Sequence, residues 1–214
     1  MLRWLVWMAR ALPAAPALSG GDTGSESGAT TLRYAAYVAG APVGEAEVMV
    51  SVNDGRYRVD GAARSSGWLG GFSDWRNRFR AQGLRDGGRW LTTEFAYSER
   101  DRSKHRLVRV RDGRVEVTKN GKERPPRPSP RGPDVLRALF IQPGCDLDRL
   151  HTGRYAYRLE RLAGDGPACR YRVTDDDGER YEIELALARR DGLVVPARIT
   201  VRTWLTGHLE LVEP

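Results

Sequence analysis

"DWRNRFRAQG", Asp74 to Gly83, places arginine at every second position, Arg76, Arg78 and Arg80, with Trp75, Asn77, Phe79 and Ala81 forming the alternate set. Side chains at i, i+2 and i+4 of a β-strand project to one side. The stretch is therefore either a stripe that grips phosphates or the wet face of a strand. Single-stranded nucleic acid binding wants aromatic stacking platforms among its basic residues. Here the pleat sends Trp75 and Phe79 away from the arginines, so the stretch reads as a solvated strand face. An anionic-surface contact through Arg76, Arg78 and Arg80 remains an open alternative.

The same period of two recurs along the chain. Leu32, Tyr34, Ala36 and Val38 share one face, and Ala46, Val48, Val50 and Val52 alternate with Glu45, Glu47, Met49 and Ser51. Tyr57 and Val59 oppose Arg56, Arg58 and Asp60, and Cys169, Tyr171 and Val173 oppose Arg170 and Arg172. Tyr181, Ile183, Leu185 and Leu187 oppose Arg180, Glu182 and Glu184, while Ile199 and Val201 oppose Arg198 and Arg202. Such alternation means antiparallel strands with one dry face and one wet face. Turn signals fall between them at Asn53-Asp54-Gly55, Asp86-Gly87-Gly88, Asp112-Gly113, Asn120-Gly121, Asp177-Gly178 and Asp191-Gly192. The fold class is all-β, mainly antiparallel. A meander of about ten or more strands curls into an open or half-closed barrel. The exceptions are the proline-rich passage Pro125–Pro133 and one short helix near 134–141, capped by Asp134 and ended near Pro143-Gly144.

The first residues resemble an address. "MLRWLVWMARALPAAPALSG" has Arg3 near its start, an apolar stretch, and small residues at Ala17 and Ser19. Residues 1–19 are expected to be a signal peptide, 20–31 a small, polar, flexible linker, and 32–214 a single β-barrel-like domain. The alternatives are an N-terminal helix or a mis-chosen start codon. Export predicts a periplasmic location. Nothing after the leader reaches the ~20 apolar residues of a membrane-spanning helix. In an exported protein the two cysteines, Cys145 and Cys169, read as a disulfide, with two unpaired core thiols as the alternative.

Charge is uneven. The 214 residues carry 35 basic and 28 acidic side chains, and only Lys104, Lys119 and Lys122 are lysines. Arg76 to Arg131 holds 17 basic and 7 acidic residues, whereas Gly132 to Pro214 holds 12 and 14. The basic segment could face an anionic partner such as membrane phosphate, although a solvated face is the commoner cause.

Catalytic signatures are missing. His105, His151 and His208 are scattered, and neither G-x-S-x-G, H-E-x-x-H, a P-loop nor a dinucleotide fingerprint occurs. "TDDDGERYE" lacks the alternating ligand spacing of a calcium loop and reads as a charged turn. No cofactor, metal site or catalytic residue is expected. The remaining candidate is "SGWLGGFSDW", where Trp68, Leu69, Phe72 and Trp75 stand among glycines. Such a loop either closes over an apolar ligand or caps the barrel's own core.

"YAAYVAGAPVGEAEVMVSVNDGRYRVDGAARSSGWLGGF" resembles the opening of the domain-of-unknown-function 3108 family of Gram-negative bacteria, at Tyr34, Gly40, Val43, Gly44, Ala46, Tyr57, Val59, Ser66 and Gly67. "PDVLRALF" is similar to the family's helical segment at Asp134, Leu136, Ala138 and Leu139, with Arg137 in place of a serine. "GRYAYRL", Gly153 to Leu159, is similar to a later strand, with Thr152 in place of an aspartate. The resemblance implies an exported, curved β-sheet protein without an established activity. A looser analogy links it to half-barrel lipoprotein carriers, whose concave face shelters acyl chains. The expected function is non-enzymatic envelope binding of a lipid-like ligand or a protein partner. The alternatives are an enzyme acting on envelope substrates, with His105 or His151 beside an aspartate, and a basic nucleic-acid binder.

Overall fold

The computed structural model describes residues 28–66, 74–163 and 168–212. Among the described residues fourteen strands form one antiparallel sheet with the order β8-β7-β6-β5-β4-β3-β2-β1-β14-β13-β12-β11-β10-β9. The first eight are β1 (Ala29–Val38), β2 (Ala41–Asn53), β3 (Arg56–Ser65), β4 (Trp75–Asp86), β5 (Arg89–Asp101), β6 (Lys104–Arg111), β7 (Arg114–Lys119) and β8 (Lys122–Pro128). The last six are β9 (Arg149–His151), β10 (Ala156–Leu162), β11 (Cys169–Asp175), β12 (Arg180–Arg190), β13 (Leu193–Arg202) and β14 (Thr206–Val212). Two meanders are thus joined where β1 pairs with β14, from Arg33↔Val212 to Val38↔Gly207. The sheet curls without closing, and its free edges are β8 and β9.

Alternation sorts the two faces as the arginine stretch predicts. In β4, Trp75, Asn77 and Ala81 are buried while Arg76, Arg78 and Arg80 are exposed. Leu32, Tyr34, Val48, Val50, Tyr57 and Val59 continue the dry face into one core with Tyr171, Val173 and Leu185 from the other meander. Fully burying one such Val, Leu or Phe side chain contributes about 1.5–3 kcal/mol. The wet face carries cross-strand ion pairs: Arg33 with Glu47 at 3.3 Å, Arg80 with Asp60 at 2.6 Å, and Arg198 with Glu210 at 3.2 Å. Arg64 and Glu45 pair likewise. These exposed pairs are each worth about 1 kcal/mol or less.

Close approach explains one glycine. A Cβ at Gly61 would lie 2.3 Å from the Phe79 ring and 2.7 Å from the Glu47 carbonyl oxygen. Gly61 stands directly opposite Phe79, and its bare backbone lets that ring lie across β3.

The linker expectation needs correction. Ala29, Thr30 and Thr31 belong to β1 and pair with Ser51, Val50 and Met49 of β2. Thr30 is buried, so the alternation already starts inside the polar stretch. Residues 1–27, which include the expected leader, lie outside the described residues.

The proline-rich passage also splits differently. Pro125, Pro126 and Pro128 lie in β8, which is exposed throughout. A residue without an N–H is tolerated on an edge strand because no further ladder needs its donor. The expected helix forms as a short, wide helical turn, Arg137–Ile141. Asp134 caps its approach, accepting from the N–H groups of Leu136 and Arg137, both at 3.0 Å. The turn packs against β13 and β3, inside the curl.

The gap between the two edges is a seam, bridged by Arg127 of β8, which donates to the Arg154 carbonyl, and by the segment between β8 and β9, which is tied to β5. Thr92 Oγ1 donates to Asp134 Oδ2 at 2.5 Å, and Arg137 Nη1 donates to the Trp90 carbonyl at 2.7 Å. Gly153 has φ +71, and a Cβ there would sit 2.7 Å from Val110 and 3.1 Å from Val108. This positive-φ glycine lets the β9–β10 connection press against β6.

Candidate functional site

The inward residues of β4 and the helical turn frame an apolar cavity of about 120 Å³. Trp75, Asn77 and Phe79 supply one wall, Leu139 and Phe140 another, and Ile199 and Leu209 come from the C-terminal meander. Among the described residues the curled sheet is lined by its own side chains around this small void. Trp75, expected in a ligand-binding loop, is the first residue of β4 and lines this void. Trp68, Leu69 and Phe72, its companions in that expectation, lie outside the described residues.

Two unpartnered polar atoms belong to residues of this wall. Trp75 and Asn77 are each 4% exposed, and neither Trp75 Nε1 nor Asn77 Oδ1 has a hydrogen-bond partner. The other unpartnered buried atoms among the described residues, Arg137 Nε and Tyr181 Oη, belong to side chains outside the cavity wall. A buried polar atom without a partner costs about 1–3 kcal/mol. Trp75 and Asn77 are two residues apart on one strand face, roughly 7 Å along β4. Both side chains line the same void, but its surface is apolar, so the two polar atoms are packed within the wall and do not open onto the cavity.

Directly across the sheet from Asn77 is Glu99 of β5. It points inward, is 5% exposed, and accepts from Arg106 Nη1 at 3.1 Å. Burial pushes the Glu99 carboxyl up from its ordinary 4.5 to about 7, against the opposing pull of Arg106. Farther toward the seam, Arg127 Nη2 donates to the Arg154 carbonyl at 2.5 Å. The Arg154 guanidinium lies 4.6 Å over the Tyr155 ring.

The three histidines lie apart. His105 is exposed on the outer face with Nε2 3.1 Å from Ser98 Oγ. His208 stacks on Tyr37, with ring centroids 4.8 Å apart, beside Arg198 and Glu210. His151 is buried, and its Nδ1 accepts from the Gly153 N–H at 3.1 Å. Burial depresses the His151 pKa, and neighbouring Asp134 opposes that shift only in part. Both Asp134 oxygens already accept, from the helical-turn N–H groups and from Thr92. His151 and Asp134 together therefore hold the seam in shape. Among the described residues no cluster of three or more His, Cys, Asp or Glu could hold a metal ion.

The outer arginines are largely matched. Arg76 pairs with Asp74 at 3.0 Å and Arg80 with Asp60 at 2.6 Å, while Arg78 stands between Ala62 and Ser98. Cys145 and Cys169 form the expected disulfide, with Cα atoms 5.1 Å apart, tying the segment before β9 to β11. "TDDDGERYE" is the expected charged turn, where Asp175 Oδ1 accepts from the Asp177 and Glu179 N–H groups.

Several site residues escape the sequence reading. Asn77 and Phe79 fall in the inward set without being singled out. Glu99 shares its parity with Phe95 and Tyr97, which is the signal that would have placed it inside.

No family model matches the chain, so the resemblance to the domain-of-unknown-function 3108 family rests on the motif residues alone. No curated protein matches it either. Among solved structures it is similar to a beta-barrel-like protein of domain of unknown function DUF1849 from Brucella abortus. That likeness has 11% identity, covers 86% of this chain and 95% of that chain, and has a TM-score of 0.45. Among the described residues no helix is long and apolar enough to cross a membrane.

Proposed function

We propose that this chain is a non-enzymatic periplasmic binding protein that takes the apolar part of a lipid-like, amphiphilic ligand into its curled sheet. The observation that carries this reading is the apolar void itself, walled by Trp75, Phe79, Leu139, Phe140, Ile199 and Leu209. A dry cavity of about 150 Å³ accepts one benzene-sized group, so about 120 Å³ suits one small ring or a short alkyl segment. The Cys145–Cys169 bond and the leader-like residues 1–19 support the oxidising envelope as its compartment.

The test is a titration of the full chain with benzyl alcohol, a single small ring with a hydroxyl, followed by calorimetry. Saturable binding with a negative heat-capacity change is expected. Ala63 lines the void, so Ala63→Leu is expected to abolish binding while the protein stays folded. No saturable binding to the native chain, or unchanged benzyl alcohol binding in that variant, defeats the reading.

A further inference from the structure

Beyond the apolar void, positive charge gathers at the seam. Strands β6, β7 and β8 carry the concave face past the end of the apolar core, and there the inward positions turn basic. Arg106 stands opposite Lys119, Lys119 opposite Lys122, and Arg124 opposite Val117. Like charges directly opposite one another repel, so this arrangement costs stability unless an anion lies between them. Arg127 joins from the β8 edge, and Arg154 faces them from the β9–β10 connection.

A cleft of about 320 Å³ lies between these groups. Its walls hold five cations, Arg106, Lys119, Arg124, Arg127 and Arg154, against two carboxylates, Asp176 and Asp177. Asp176 Oδ2 accepts from the Ala156 N–H at 2.8 Å, and Arg106 is matched by Glu99 behind the wall. Lys119 and Arg124 have no ion-pair partner among the described residues. The hydrogen bond from Arg127 to the Arg154 carbonyl pins one guanidinium at the mouth.

We propose that this cleft binds a phosphate-class anion, independently of the apolar void. A carboxylate brings one charge and two oxygens. A phosphate monoester brings about −1.5 to −2 and three strong acceptor oxygens, a closer match to several converging cations. Arginine forks suit that geometry. The anionic contact expected from the basic segment is thereby placed on its concave edge, away from Arg76, Arg78 and Arg80.

The experiment titrates the full chain with glycerol 3-phosphate, inorganic phosphate and acetate by calorimetry. In parallel, it is mixed with phosphatidylcholine vesicles with and without phosphatidic acid, whose headgroup is a phosphate monoester. Saturable binding of the free phosphates identifies a soluble ligand, and binding only to phosphatidic acid vesicles identifies a lipid headgroup. Either outcome upholds the cleft. Lys119→Gln combined with Arg124→Gln is expected to weaken that binding about 100-fold, near tenfold per charge-assisted hydrogen bond. Arg76→Gln combined with Arg78→Gln removes the same formal charge from the outer face and should change it less than about twofold. Ala63→Leu should leave phosphate binding unaltered, which separates this cleft from the apolar void. Equal losses in the two arginine-bearing variants, acetate binding as strong as phosphate, or no saturable phosphate binding overturns the proposal.

Discussion

The outer face of β2–β4 and the seam cleft are built from the same basic residue types, yet their charges meet different fates. On the outer face Asp60, Asp74, Glu45 and Glu47 stand within reach of Arg80, Arg76, Arg64 and Arg33. At the seam, Lys119 faces Arg106 and Lys122 across neighbouring strands, and Arg124, opposite Val117, has no ion-pair partner among the described residues. Net charge along the chain therefore says little about where an anion would bind. Strand parity and the identity of the cross-strand neighbour decide it.

The comparison breaks most severely if the seam itself is forced open. Gly153→Val places a branched side chain at positive φ, against Val110 and Val108. It is expected to cost roughly 3 kcal/mol or more in chemical denaturation, and to abolish the seam while the outer ion pairs survive. Next in size is the disulfide. Replacing Cys145 and Cys169 with serine should cost ~3 kcal/mol on the chain-entropy estimate, lowering the melting temperature by about 6–12 °C. Reductant should produce the same shift in the native chain.

The buried Glu99–Arg106 pair gives a smaller, pH-dependent effect. Burial raises the folded carboxyl to about 7, so the folded state keeps a proton that the unfolded chain releases near 4.5. Stability from this group is complete below about pH 4.5 and declines as the pH rises through about 7. Denaturation curves across that window should show a loss on the order of 2 kcal/mol, and Glu99→Gln should flatten it. The smallest effect belongs to the outer face. Asp60→Asn, which uncouples Arg80 and Arg58, should change stability by about 1 kcal/mol or less, and less still in high salt. An outer-face loss larger than the Glu99 effect would reverse the ranking of the two regions.

The fold was legible because period two is a local property. Trp75, Asn77 and Ala81 alternate with three arginines whatever the distant chain does, and the turn glycines mark the hairpins. The edge strand β8 was hidden by its prolines, which argue against a strand everywhere except at an edge. Thr30 and Thr31 were hidden by their polar neighbours, although β-branched residues suit a strand. Of the candidate site, Trp75 was read directly and Asn77 only as part of the inward set. The seam cleft could not be read, because Arg124 and Arg154 are 30 residues apart and meet only through the curl of the whole sheet.

The most direct measurement is a methyl and indole NMR titration of the full chain with benzyl alcohol. The account predicts shifts at Val48, Leu139, Ile199 and Leu209, with the Trp75 ring, which lines the same void, moving with them. Shifts confined to the exposed Met49, Leu84 and Leu91, with Trp75 unmoved, would contradict it.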